Sequence, residues 1–255
     1  MRGLAGKRVL VSGGSRGIGQ TSARRFLEEG CSVFLTGLDA DEVEAAVSGL
    51  ASWGTVAGTR CDVSSESSVN EALQSAVAFL DGIDVLANNA GIAWQEPFLD
   101  MTASHWDRVI AVNLRGMFLV GQAVARHLVA ERRPGVIVNM ASTNALGGEA
   151  YYAHYNASKG AVLQLTRTMA VELGVHGIRV NALCPGYIET PLNREIAANS
   201  GDPDFVATYV RDNIPLGRTG SEEDVAAAYA FLASDEAAFV HGAALVLDGG
   251  QTAVM

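Results

Sequence analysis

The chain has 255 residues, 49% hydrophobic and 18% charged, which suits a single α/β domain with a sizeable core and excludes a disordered chain. Its 18 lysines and arginines against 28 aspartates and glutamates give a formal net charge of -10, which argues against a nucleic-acid or anionic-membrane partner. Val9-Leu10-Val11 is too short for a signal-peptide core, and no apolar run reaches the roughly 18 residues of a membrane span. Cys31, Cys61 and Cys184 are too few and too scattered for a disulfide framework, so a reducing, cytoplasmic setting is expected.

Short apolar runs alternate with longer amphipathic ones. Lys7–Ser12 predicts a buried strand, Gly17–Glu29 a helix, Ser32–Thr36 a strand, Asp41–Leu50 a helix, Gly54–Cys61 a strand and Ser67–Leu80 a helix. Ile83–Ala87, Gly135–Met140, Ile178–Leu183 and Ala243–Leu247 are further strands, with helices near 104–130, 155–173 and 222–233. Near-continuous apolar strands in β-then-α order predict a single-domain, Rossmann-type doubly wound parallel sheet with helices on both faces. The segment 189–220, with Pro191, Pro203 and Pro215, is expected to be a substrate flap.

After the first strand comes Gly13-Gly14-Ser15-Arg16-Gly17-Ile18-Gly19, running into a helix. Glycines there let the backbone turn tightly and approach a pyrophosphate, which then sits on the helix N-terminus. Strand, turn and helix in the first βα unit point to dinucleotide binding. Further on, Tyr155 and Lys159 stand four residues apart, on one face if the segment is helical. A phenol with its ordinary pKa near 10 is a poor acid/base at neutral pH, and a cation one turn away favours its ionised form. Ser142 follows the Gly135–Met140 strand, in a strand-end loop where such folds build sites. Asn113 interrupts an apolar helical stretch with an amide that is either a satisfied core group or a functional one.

These landmarks in this order resemble the classical short-chain dehydrogenase/reductase family over nearly the whole chain. They are the glycine turn, with Ser12 where the family usually has threonine, then Asp62-Val63, Asn88-Asn89-Ala90-Gly91, Asn113, Ser142, Tyr155-Asn156-Ala157-Ser158-Lys159, Pro185-Gly186 and Asp248-Gly249-Gly250. The serine-to-tyrosine interval of 13 (155 − 142) is similar to the family's as well. The resemblance implies hydride transfer between a nicotinamide cofactor and an alcohol/carbonyl pair. Tyr155 would be the general acid/base, Lys159 would lower its pKa and hold the nicotinamide ribose, Ser142 would orient the reacting oxygen, and Asn113 would support a proton relay. The implied cofactor-binding set is Gly13, Ser15, Arg16, Gly17, Ile18, Gly19, Asp39, Asp62, Val63, Asn89, Ala90, Gly91, Tyr155, Lys159, Pro185, Gly186, Ile188 and Thr190.

Cofactor choice is read at the end of the second strand. The family's acid at Gly37 and arginine at Leu38 are both missing. Asp39, 20 residues beyond Gly19 (39 − 19), favours NAD through the ribose 2′-hydroxyl, whereas Arg16 leaves NADP open; Asp39 as a helix N-cap is the competing reading. Asn144, Glu149, Tyr152, His154, Trp94, Gln95, Arg194 and Tyr209 would surround a small-molecule substrate, and suit a sugar, polyol or other hydroxylated compound. His154 is expected at the pocket rim or surface, because neighbouring helix positions point in different directions. Alternative functions are a non-redox enzyme on the same fold and a catalytically silent cofactor-binding regulator. The resemblance also implies a homotetramer, with the helices near 104–130 and 155–173 forming one interface and the C-terminal strand another; separately, Val254-Met255 is expected to reach a neighbouring subunit. No metal site is expected.

Overall fold

The computed structural model describes residues 1–199 and 201–254; Ser200, Met255 and the side chain of Val254 lie outside the description, and with them the expected reach of Val254-Met255. Among the described residues, seven parallel strands form one sheet: β1 (Arg8–Ser12), β2 (Ser32–Gly37), β3 (Val56–Arg60), β4 (Val85–Asn88), β5 (Gly135–Met140), β6 (Ile178–Pro185) and β7 (Ala244–Leu247), in the order β3-β2-β1-β4-β5-β6-β7. The order reverses between β1 and β4, which opens a crevice at their carboxyl ends.

Alternation along each strand explains why the runs are apolar throughout. Val9, Val11, Val33, Leu35, Val85, Val136 and Val138 face one core cluster, while Leu10, Phe34, Leu86 and Ile137 face another. Helices α1 (Gly17–Glu28), α2 (Ala40–Leu50) and α9 (Glu222–Ala233) cover the first cluster with Phe26, Val43 and Tyr229. On the other side, α3 (Glu66–Leu80) and α5 (Met117–Ala130) contribute Val69, Ala76, Val124 and Leu128. Both faces are therefore covered, as a parallel sheet requires.

Side chains fix where the helices begin. Ser65 caps α3, Thr102 caps α4 (Ala103–Ile110), and Ser221 forms a reciprocal capping box with Asp224 at the start of α9. The helical stretch expected near 104–130 is not regular: a π-helical turn, Ala111–Gly116, separates α4 from α5 and carries Asn113. By length and composition the run Ala103–Ala130 would suffice to cross a membrane, but Val109, Val112, Val120, Val124 and Leu128 are buried in the domain. After α6 (Ala153–Leu173), the expected flap is an excursion containing α7 (Pro191–Asn199) and α8 (Phe205–Asn213) rather than a loop. Its base is closed by an Ile188–Gly220 bridge.

Candidate active site

The glycine turn leaves β1 into the crevice, and its shape depends on missing side chains. Gly13 has φ +64°, and a Cβ there would lie 2.8 Å from the Cα of Ala90. A Cβ on Gly19 would lie 2.0 Å from the Gly13 carbonyl oxygen. Ser12 ties this turn to the end of β4: its hydroxyl accepts from the main-chain N–H groups of Asn89 (3.0 Å) and Ala90 (3.2 Å) and donates to Asn88 Oδ1 (3.1 Å). Asn89 Nδ2 adds a bond to the Gly13 carbonyl at 3.0 Å. Among the described residues no side chain caps α1, so its first N–H groups face the crevice.

One groove of about 470 Å³ brings together Gly13, Ser15, Arg16, Gly17, Ile18, Asp62, Val63, Asn89, Ala90, Gly91, Tyr155, Lys159 and Thr190. A cradle without Cβ atoms at an uncapped helix start, followed by an acid, fits an extended dinucleotide. Asp62 Oδ1 accepts from the Ser64 N–H (2.9 Å) and hydroxyl (2.6 Å), bonds that hold its carboxyl below the usual carboxylate range. Asp39 and Gly19 do not line the groove. Gly19 supports the turn from behind, whereas Asp39 spends one carboxylate oxygen on α2, accepting from the N–H groups of Asp41 (2.9 Å) and Glu42 (3.0 Å). The expected ribose acid is thus a helix cap.

Besides Asp62, the acid that lines the groove is Glu42, which sequence spacing did not single out. It accepts from the Ser15 hydroxyl at 3.3 Å and pairs with Arg16 at 3.9 Å. Gly37 has no room for a side chain, since a Cβ would sit 2.7 Å from Ser15 Oγ and 2.9 Å from Val43 Cγ2. Trp94, expected around the substrate, lines this groove, as do Arg108 and Leu192, which stand in no glycine or catalytic spacing that would mark them.

Helix α6 lifts Tyr155 and Lys159 together to the junction of this groove with a smaller pocket of about 140 Å³. Tyr155 lines both. Burial pushes its phenol up to about 12, partly countered by the neighbouring Ser142 hydroxyl. The fully buried Lys159 ammonium donates to the Met140 carbonyl at 2.7 Å and lies 5.5 Å from the centroid of the Tyr155 ring; burial lowers its pKa to about 8. Ser142 stands at the end of β5, with its hydroxyl donating to Asn144 Oδ1 at 3.0 Å. The Asn113 side chain is a satisfied core amide: Oδ1 accepts from Ile92 N–H (2.8 Å), and Nδ2 donates to Ile92 O (2.9 Å) and Ser158 Oγ (3.3 Å).

The smaller pocket gathers Ser142, Pro185, Gly186, Ile188 and Thr190 with Gln95, Asn144, Glu149, Tyr152 and Tyr209. Thr190 also caps α7, accepting from Asn193 N–H at 3.1 Å, so one residue joins the groove to the excursion. Three expected pocket residues are elsewhere, Trp94 among them in the larger groove. Arg194 is exposed and pairs with Glu189 at 3.3 Å. His154 is not at a rim or surface; it is fully buried, its Nδ1 accepts the Tyr155 N–H at 2.8 Å, and its ring meets Trp94 edge-on at 5.0 Å. That bond turns the imidazole inward at the first turn of α6, and burial lowers its pKa. Among the described residues no cluster of histidine, cysteine and acids could hold a metal.

Residues 13–252 match the protein family described as Enoyl-(Acyl carrier protein) reductase. The chain is 40% identical to 3beta-hydroxysteroid dehydrogenase 1 of Eggerthella lenta, covering 98% of this chain and 95% of that one. It is 37% identical to gluconate 5-dehydrogenase of Gluconobacter oxydans, covering 98% and 96%. A crystal structure of a short-chain type dehydrogenase/reductase from Mycobacterium marinum superposes with TM-score 0.92 at 36% identity, covering 98% and 96%.

Proposed function

The chain belongs to the short-chain dehydrogenase/reductase family and is an NAD(P)-dependent oxidoreductase acting on alcohol/carbonyl pairs, and we propose that it does so through Tyr155 as proton-transferring residue. The observation that carries this reading is the position of Tyr155, whose side chain borders both the dinucleotide groove and the smaller pocket beside Ser142.

When bound, the nicotinamide supplies the hydride acceptor or donor. The residues present would hold it as follows. Gly13 to Gly19 receive the pyrophosphate, Asp62 and Val63 border the adenine end, and Asn89 to Gly91 with Thr190 flank the nicotinamide end. Tyr155 holds a proton at its phenol oxygen for delivery to a carbonyl oxygen, or takes one from a hydroxyl in the reverse direction. Ser142 donates toward the same oxygen and orients it, and Lys159 fixes positive charge near the ring that ionises. Asn113 acts indirectly, by pinning Ile92 beside the groove.

The cofactor is NAD in preference to NADP. Support comes from Glu42 rather than from Asp39: its carboxylate lines the groove, engages Arg16, and opposes a 2′-phosphate. The substrate is a small hydroxylated molecule such as a sugar or polyol, in keeping with the modest pocket and its amide, carboxylate and phenol groups. The excursion over 189–220 acts as substrate flap. A homotetramer is supported by apolar side chains left outside on the two long helices and beyond, among them Phe118, Val171 and Phe239. A cytoplasmic setting agrees with the three free cysteines.

The deciding experiment is Tyr155→Phe, with turnover followed at 340 nm and NADH binding by fluorescence. Turnover should fall by about 10²–10⁴-fold with cofactor affinity nearly unchanged; near-normal turnover overturns the role.

A further inference from the structure

The smaller pocket carries one formal charge and nothing of opposite sign. Among the described residues, its lining holds no lysine, arginine or histidine, and Glu149 is its lone carboxylate. Lys159 is turned to the Met140 carbonyl and borders the groove instead, and Arg194 is paired outside. Glu149 Oε2 accepts one bond, from Asn144 Nδ2 at 2.8 Å, and the Oδ1 of that amide accepts the Ser142 hydroxyl at 3.0 Å. A single amide thus separates the carboxylate from the hydroxyl that stands beside Tyr155.

The loop does not need this carboxylate for its shape. Asn156 Nδ2 donates to the main-chain oxygen of Glu149 at 2.9 Å, and Asn144 Nδ2 reaches Asn156 Oδ1 at 2.8 Å, so the strand-end loop is closed without it. The negative charge is felt across the pocket, where it disfavours ionisation of Tyr152, Tyr155, Tyr187 and Tyr209. Its own carboxyl is pushed up by the surrounding protein. Glu149 is exposed to the pocket's mouth and takes one neutral donor, so its remaining lone pairs are open to a substrate donor, and charge-assisted bonds are the strong kind. Opposite it, Tyr187 and Tyr209 pack at 5.0 Å between ring centroids, with Phe205 6.3 Å from Tyr209, giving a hydrocarbon skeleton an aromatic face.

We propose that Glu149 selects the substrate by accepting a hydrogen bond from a second donor, a hydroxyl or an ammonium, borne near the carbinol carbon that reacts at Tyr155, and by repelling any substrate with a carboxylate or phosphate in that place. The substrate class is therefore a vicinal diol or amino alcohol, or the matching hydroxy- or amino-ketone. This rests on Tyr155 marking the reacting oxygen, and it narrows the hydroxylated class to molecules without negative charge.

The test uses the full-length protein and matched sets on three-, four- and six-carbon skeletons: 1,2-diol, 1-amino-2-alcohol, mono-alcohol and 2-hydroxy acid. Values of kcat/KM are measured for the wild type and Glu149→Gln, and binding to Tyr155→Phe with NAD is measured by calorimetry. In the wild type the donor-bearing compounds should exceed the mono-alcohol by about tenfold and the hydroxy acid by more. Glu149→Gln should raise the hydroxy acid relative to the diol by about tenfold or more, with an unchanged circular dichroism spectrum and melting transition confirming the fold. A larger loss for the amino alcohol than for the diol in Glu149→Gln identifies ammonium as the donor, and equal losses identify hydroxyl. A wild-type preference for the hydroxy acid, a diol-to-acid ratio in Glu149→Gln that stays within about twofold of the wild-type ratio, or binding of no donor-bearing compound overturns the proposal. Persistent turnover by Tyr155→Phe overturns the acid/base reading alone, because the charge preference is read separately by binding.

Discussion

The Lys159 ammonium and the Tyr155 ring are held 5.5 Å apart, with the nitrogen bonded to the Met140 carbonyl rather than to the phenol oxygen. The cation therefore acts on the phenol through space and through whatever lies between them. Lys159→Met should leave the sheet intact and lower kcat/KM by on the order of 10²-fold. Lys159→Arg should not restore it, because a planar fork does not replace a compact ammonium in a fully buried site. Steady-state kinetics on both variants check this, and full activity in Lys159→Met would remove the lysine from the machinery.

The two directions of the reaction should respond differently to pH. Burial holds the Tyr155 phenol up at about 12, so at neutral pH it carries its proton. Carbonyl reduction uses that proton and should be flat from about pH 6 to 8. Alcohol oxidation needs the proton gone, and its kcat/KM should rise with pH, by up to about tenfold per unit. Above about 8 the rise should flatten, because Lys159 loses its charge there. Profiles of both directions decide the matter; an oxidation rate independent of pH between 6 and 8 contradicts it.

Glu42→Ala removes an acid from the groove beside the glycine turn and frees Arg16. Affinity for NADP should rise by about tenfold relative to NAD. Fluorescence titration with each reduced cofactor reads this without turnover. Asp39→Ala should instead lower the melting temperature slightly through loss of the α2 cap and leave the cofactor ratio unchanged.

Gly19→Ala drives a Cβ against the Gly13 carbonyl and toward Asn89 Nδ2. The turn must shift where a pyrophosphate would sit, so cofactor affinity should drop by about tenfold or more. Gly49→Ala is the control, since a Cβ at that helical position meets nothing within 4 Å, and it should bind cofactor normally.

Far from the site, Asp84 accepts from Arg8 Nε and Nη2, both at 2.8 Å, and from Arg133 at 3.1 Å. These bonds outweigh burial and hold its carboxyl below the ordinary value of 3.8. Because the folded pKa is depressed, the stabilisation is present above the unfolded pKa and is lost as pH falls through the folded one. Asp84→Asn should cost about 2 kcal/mol at pH 7 and less in acid, as measured by urea unfolding at both pH values.

Much of the scaffold could be read from the chain because both sheet faces are covered: runs such as Arg8–Ser12 and Gly135–Met140 are buried nearly end to end, which marks parallel strands directly. The turn, Ser142, Tyr155 and Lys159 were legible because their chemistry needs fixed spacings. The excursion was not, because Pro191, Pro203 and Pro215 read as breakers, whereas Pro191 occupies the first helical position of α7, where a missing N–H is harmless. Asp39 and Glu42 could not be told apart by spacing alone, since one helical turn decides which acid caps and which faces outward. His154 illustrates the same limit: its inward turn follows from a ring-to-backbone bond within the first turn of α6, which side-chain periodicity does not encode.

The Ile188–Gly220 rung sets the two ends of the flap side by side. A stretch whose ends are clasped can be lengthened, shortened or exchanged for a closure entropy that grows only slowly with its length. The proton-transfer pair and the glycine turn sit on elements outside the clasp. New substrate preferences can therefore be grafted between 193 and 219 as an exchangeable cassette, with Thr190 to Leu192 kept because they line the dinucleotide groove.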